Sequence, residues 1–210
     1  ALARIQPSLI NPQQTIEANV NGTLNILELA RKNNTPVIYA GSSSFHHGLY
    51  GSPYAWSKHG GEQLCKLYSD VYGLNTSICR FYNVYGPHQL EDGTYSTVLG
   101  IFERQYRSGE SLTITGTGEQ RRDFTHVDDI VNGIYKCMGK EFKAEIFELG
   151  RGINHSINEI VDMFESERTY IPARSGEYDK TLCDYSNALN KLEWEPVKNL
   201  QEYIRDVINA

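Results

Sequence analysis

A tyrosine and a lysine four residues apart are the first residues in this chain whose types and spacing could do chemistry. In Tyr54-Ala55-Trp56-Ser57-Lys58 the two would stand one turn apart on the same face of a helix. A free phenol, with a pKa of about 10, is a poor base at neutral pH. A neighbouring ammonium favours the phenolate, and a tenfold gain in acidity corresponds to about 1.4 kcal/mol. The pair therefore suits a group that takes a proton from a hydroxyl and later returns it. The same spacing also arises in ordinary amphipathic helices with a snorkelling lysine, so the surroundings decide its meaning. Upstream, Gly41-Ser42-Ser43-Ser44 follows the apolar run Pro36-Val37-Ile38-Tyr39-Ala40, which reads as a buried strand. In open α/β sheets, reactive groups gather just beyond the carboxyl ends of strands.

The flanking elements supply such a sheet. Asn11 caps and Pro12 opens a helix over residues 13–31, with Ile16, Val20, Leu24 and Leu27 on one face. The Tyr54 helix runs to Gly73, and a strand over residues 76–81 follows. Beyond Pro87 the pattern predicts a helix over 94–107, a strand over 111–114, a helix over 127–138 and a strand over 146–150. Ser156 and Glu159 form a capping box, and a last helix is expected near residues 200–208. The fold class expected is α/β: the C-terminal part of a Rossmann-like doubly wound parallel sheet plus a small mixed substrate lobe. With 210 residues, 40% of them hydrophobic, the chain can bury a substantial core. A formal net charge of -6 offers no basic footprint for nucleic acid. No apolar stretch is long enough to span a membrane. Cys65, Cys79, Cys137 and Cys183 form no Cys-x-x-Cys pair, which argues against a zinc site or disulfide framework and for reduced thiols in a cytoplasm.

The strand-end serines, the Tyr/Lys pair, Asn83-Val84-Tyr85-Gly86-Pro87 and Arg121-Arg122-Asp123-Phe124, in that order, resemble the extended short-chain dehydrogenase/reductase superfamily. Within it the likeness is to NAD-dependent nucleotide-sugar epimerases and dehydratases, and it covers essentially the whole chain. The resemblance implies catalytic roles for Tyr54, Lys58 and Ser43, with Ser44 as the adjacent candidate and Ser42 as a turn cap. It implies that Lys58 also bonds the nicotinamide ribose, that Phe81 and Tyr82 border the nicotinamide, and that Ala1 ends a cofactor-lining segment. Core packing is the competing role for Phe81. Asn83, Arg122 and Arg174 are expected to hold the nucleotide-sugar diphosphate, and Leu112 and Thr113 to pass the nucleobase. His46 and His47 stand where the family has Val-Tyr.

Two departures bear on the reaction. The family's dehydratases and decarboxylases carry acidic residues after the catalytic Ser or Thr, where this chain has Ser44 and Phe45. What the resemblance leaves is epimerisation at C4 through a transient keto sugar, with a UDP-sugar as the favoured substrate and a homodimer as the expected assembly. The loop from Ser43 to Tyr54 is shorter than the family's, which bears on sugar choice. A Gly-x-x-Gly-x-x-Gly dinucleotide loop is absent from the sequence, and Gly116-Thr117-Gly118 opens no helix. The chain is thus expected to be N-terminally truncated. Residues 1–86 are expected to form the remaining NAD-binding portion, and 87–210 mainly the nucleotide-sugar lobe with segments returning to the first. A catalytically incomplete nucleotide-sugar-binding fragment is the other reading.

Overall fold

The computed structural model describes residues 1–173 and 178–210. The chain enters through two short helices, α1 (Ile5–Ile10) and α2 (Pro12–Ile16). Pro12 takes a first-turn position, where its missing N–H leaves nothing unsatisfied. The sequence predicts one uninterrupted helix over 13–31. The structure instead widens into a π-helical segment, Glu17–Asn21, before α3 (Gly22–Asn33). Such wide turns often accompany functional sites, and this one contains Asn19. Its side-chain amide donates to the Leu2 carbonyl at 2.9 Å and to Ser57 Oγ at 2.9 Å.

Strand β1 (Val37–Ser42) runs two residues further than its apolar run suggested. A 3-10 turn, Ser43–His47, then leads towards α4 (Pro53–Tyr72). Ser52 caps α4 by accepting from the Ala55 N–H at 3.1 Å, and left-handed Gly73 ends it. Next come β2 (Thr76–Phe81), β3 (Val84–Tyr85), α5 (Val98–Arg107), β4 (Leu112–Thr115), β5 (Arg121–Asp123) and β6 (Thr125–His126). The chain continues through α6 (Val127–Cys137), β7 (Lys143–Leu149), β8 (Asn154–Ser156), α7 (Ile157–Met163), β9 (Arg168–Ile171), α8 (Ser186–Leu192) and α9 (Leu200–Asn209).

The principal sheet is parallel, in the order β1-β2-β7. Ser42 is in register with Phe81, and Phe81 with Leu149, so the three carboxyl ends finish level. On one face Leu27 and Ala30 of α3 and Cys65 and Tyr68 of α4 pack on Tyr39 and Ile78. On the other, Ile130, Ala188 and Trp194 pack on Cys79, Phe147 and Leu149. Burying a side chain such as Phe147 or Leu149 contributes roughly 1.5–3 kcal/mol. Helices on both faces make the layer doubly wound, as expected.

A second core gathers Leu99 and Phe102 of α5, Leu112 and Ile114 of β4, Ile160 and Val161 of α7, and Ile204 of α9. Around it lie the parallel pairs β3–β6 and β4–β9 and the antiparallel pair β5–β8. Arg121 locks β5 in place: it meets Glu159 Oε1 at 2.7 Å and the Asn154 carbonyl at 2.9 Å. Asp123 is fully buried and accepts from the N–H groups of Arg151, Gly152 and Cys183 at 2.8–2.9 Å. It thereby pins the turns that follow β7 and β9. No helix among the described residues is long and apolar enough to cross a membrane.

Candidate active site

At the carboxyl end of β1, Ser42 Oγ is a meeting point. It accepts from Tyr54 Oη at 3.4 Å, from Ser44 Oγ at 2.9 Å and from the Ser44 N–H at 3.2 Å. Ser42 accepts in all three contacts, so its own proton is committed to none of them. The sequence favoured Ser43 as the active serine and gave Ser42 a capping role. Ser42 does cap the 3-10 turn, through the Ser44 N–H, yet it is also the hydroxyl at Tyr54. Counting back from Gly48 gives Ser43, whereas counting forward along β1, which extends to Ser42, gives the serine opposite Phe81. Ser43 begins the turn half-buried, and Ser44 is buried behind Ser42.

One turn along α4, Lys58 is buried, with its Nζ 4.5 Å from the centroid of the Tyr39 ring. Tyr39 Oη in turn donates to the Lys58 carbonyl at 3.2 Å, so the β1 tyrosine holds both ends of the lysine. Among the described residues no acceptor bonds the Lys58 ammonium. Burial lowers its pKa to about 8. The sequence expected the lysine to draw the Tyr54 phenol down. In the structure burial pushes Tyr54 up, offset in part by the Ser42 hydrogen bond and the charge of Arg4. Desolvation disfavours both charged forms at once, and here it outweighs the charge of the lysine one turn away.

Arg4 was not anticipated. Its guanidinium donates to the Tyr95 carbonyl at 2.9 and 3.3 Å, bridging the chain start to the segment before α5. Its φ of 95° is a conformation that costs a non-glycine residue about 1–3 kcal/mol. A strained cation beside the phenol is a signal that residue spacing does not carry.

Several expected ligands hold other positions. Tyr82 is 1% exposed and donates to Glu148 Oε2 at 3.0 Å. It packs inside the molecule and does not line the hollow at Tyr54. Phe81, one residue earlier on the opposite face of the strand, is half-buried and packs against the Trp194 core. Leu112 is completely buried in the second core, and the Thr113 hydroxyl donates back to Gln105. Neither side chain is presented as a free base-reading group. Ala1 is exposed at the chain start. Asn83 is exposed, and its amide donates to the Asp123 carbonyl at 2.9 Å. Arg122 is half-buried, donates to its neighbour's carbonyl at 2.9 Å, and its charge reaches His47 and Tyr178. Arg174 lies outside the described residues.

Under this site runs a buried ionic network. Arg80 bonds Glu62 through two contacts of 2.9 and 2.6 Å and Glu148 at 2.9 Å. Phe45 covers its guanidinium at 3.6 Å, and His46 reaches Glu148 at 2.7 Å. It joins α4, β2 and β7 to the turn that follows Ser42.

Residues 1–150 match the model of the NAD dependent epimerase/dehydratase family. The chain belongs to that family. Over its full length it is 35% identical to a UDP-glucuronate 4-epimerase of Thermodesulfobacterium geofontis, of which it spans 69%. It is 34% identical to a putative UDP-glucose 4-epimerase of Methanocaldococcus jannaschii, spanning 74% of that protein. All of it superposes, with a TM-score of 0.92 and 28% identity, on 74% of the Thermotoga maritima UDP-glucose 4-epimerase crystallised with UDP-glucose. Family membership makes the protein an NAD-dependent, epimerase-like enzyme. Lys58 fits the nicotinamide riboside end of that cofactor. A buried ammonium over the Tyr39 ring, with no acceptor among the described residues, is a donor suited to the hydroxyls of a ribose.

Proposed function

We propose that the protein epimerises a nucleotide sugar at C4 through a transient 4-keto sugar. Tyr54 takes the proton of the sugar's C4 hydroxyl, and Ser42 donates to the oxygen on which charge develops. Ser44 fixes the Ser42 rotamer, and Lys58 binds the ribose of the cofactor and stabilises the phenolate by its charge. NAD, when bound, supplies the hydride acceptor and donor, so the protein's own task is proton transfer and orientation. Asn83, Arg122 and Arg174 are assigned to the diphosphate, for which a planar guanidinium offers two parallel donors. Relatives named as UDP-sugar enzymes favour a UDP-sugar substrate. Residues 44 and 45 provide no carboxylate, which favours epimerisation over elimination or decarboxylation.

The observation that carries this reading is the single contact of 3.4 Å between Tyr54 Oη and Ser42 Oγ at the strand end. The test is Tyr54→Phe. General acid–base catalysis contributes roughly 10²–10⁴-fold, so turnover of a UDP-hexose in the presence of NAD should fall by that factor. The dissociation constant for UDP should stay within about twofold, because a single hydroxyl remote from the diphosphate is lost. Undiminished turnover in the variant removes Tyr54 from the mechanism.

A further inference from the structure

His47 and Tyr178 meet near Tyr54 with two covered polar atoms that lack a partner in hydrogen-bond geometry. The rings stack with centroids 4.6 Å apart at 32°. His47 Nε2 and Tyr178 Oη are both shielded from solvent, and neither has a partner in hydrogen-bond geometry. Ser52 Oγ accepts from the Ala55 N–H in capping α4 and keeps its own proton, and it lies close enough to act on the Tyr178 phenol without reaching hydrogen-bond geometry. A covered, unpaired polar atom costs about 1–3 kcal/mol, and two in one contact ask for an explanation. The pair also sits at a junction. Tyr178 lines a cavity of about 440 Å³ together with Thr115, Gly116, Thr117 and Gln120. On its other side it stands close enough to Tyr54 and Arg122 for their charges to act on its phenol. His47 ends the turn that begins beside Ser42. Tyr178, stacked on His47, is thus a neighbour of both that cavity and Tyr54.

We propose that His47 and Tyr178 form the wall that reads the sugar, hydrogen-bonding an uncharged substituent of the hexose, a hydroxyl or an acylamino group. The assignment rests on the nucleotide-sugar reading above and deepens it. The stacked rings offer a flat apolar surface to the pyranose, and a slight rotation of either ring brings its polar tip to a substituent. Burial, His46 and Arg122 all press His47 towards its neutral form, which suits an uncharged partner better than a carboxylate. Arg122, the cation nearest both rings, is assigned to the diphosphate.

Calorimetric titration of the protein with UDP, UDP-glucose, UDP-N-acetylglucosamine and UDP-glucuronate tests this. The readout is the factor by which the sugar tightens binding relative to UDP. His47→Phe keeps the stack and removes the nitrogens, whereas Tyr178→Phe removes one oxygen. Each is expected to cut the sugar factor for UDP-glucose or UDP-N-acetylglucosamine by roughly 3- to 10-fold, with UDP itself as the reference for intact folding. A sugar factor unchanged in both variants, or a loss confined to UDP-glucuronate, overturns the proposal while leaving the epimerase reading standing. If the unsubstituted protein binds none of the four ligands, the nucleotide-sugar reading falls and this inference with it.

Discussion

Lys58 is where function and stability pull against each other at the scale of one residue. The residue is 7% exposed, and burial brings its pKa from 10.5 to about 8. A folded pKa below the unfolded one means the unfolded chain holds more protons between about pH 8 and 10.5. Stability contributed by this group therefore rises with pH across that window, and the full penalty of the buried charge applies below it. A change of this size corresponds to about 3 kcal/mol. Lys58→Met, which keeps length and removes charge, should be more stable than the unsubstituted protein by about 1–3 kcal/mol at pH 7. The gap should close as pH climbs from 8 to 10.5. Urea unfolding of both proteins across that range measures it, and a gap independent of pH would show that the ammonium carries no penalty. The same titration predicts that any rate step requiring charged Lys58 weakens above about pH 8.

The close approach of α4 to β1 sets the distance between Tyr54 and the strand end, and it depends on one glycine. A Cβ on Gly61 would lie 2.1 Å from Tyr39 Oη and 2.5 Å from its Cζ. Tyr39 is buried and carries the Lys58 contact, so it has little room to yield. Gly61→Ala is thus expected to destabilise by about 1–3 kcal/mol through overpacking, despite the gain of about 1 kcal/mol in helix propensity. Gly60→Ala is the control: its Cβ would meet Val20 Cγ2 at 3.4 Å, an ordinary contact, so it should be neutral or stabilising. Equal effects from the two substitutions, in denaturant melts, would refute the packing argument. Much at this scale was legible in the sequence. The strand Thr76–Phe81 and the capping box at Ser156 and Glu159 were readable because local patterning alone specifies them. The π-helical segment at Glu17–Asn21 and strand β9 were not, because tertiary partners decide them: Asn19 answers to Leu2 and Ser57, and β9 pairs with β4. Which of the three serines lies nearest Tyr54 was not legible for a related reason, since the end of β1 is set by its neighbour β2 and not by its own apolar run.

Across the whole molecule, the two halves of a dinucleotide–sugar reaction are unequally represented. On the sugar side, Tyr178 lines a cavity and lies within reach of the charges of Tyr54 and Arg122. On the cofactor side, the proposed reading assigns Tyr54 and Lys58 to the nicotinamide end. No glycine run among the described residues opens a helix after a strand, and Gly116-Thr117-Gly118 leads into β5. A pyrophosphate cradle needs successive N–H groups at a helix start, and on the reading proposed above this 210-residue chain holds UDP better than NAD. Exposed Leu24, Ile26 and Leu29 on α3 and Leu67 and Val71 on α4 add an apolar face beside the edge strand β1. A ligand present at a hundred times its dissociation constant stabilises a fold by about 2.7 kcal/mol, enough to move a thermal midpoint by several degrees. Thermal melts with UDP and with NAD, each raised to millimolar concentration, should therefore give a shift with UDP and little with NAD alone. A large NAD shift without one from UDP would mean that the hollow beside Tyr54 receives the dinucleotide first and that the diphosphate assignments of Asn83 and Arg122 are wrong.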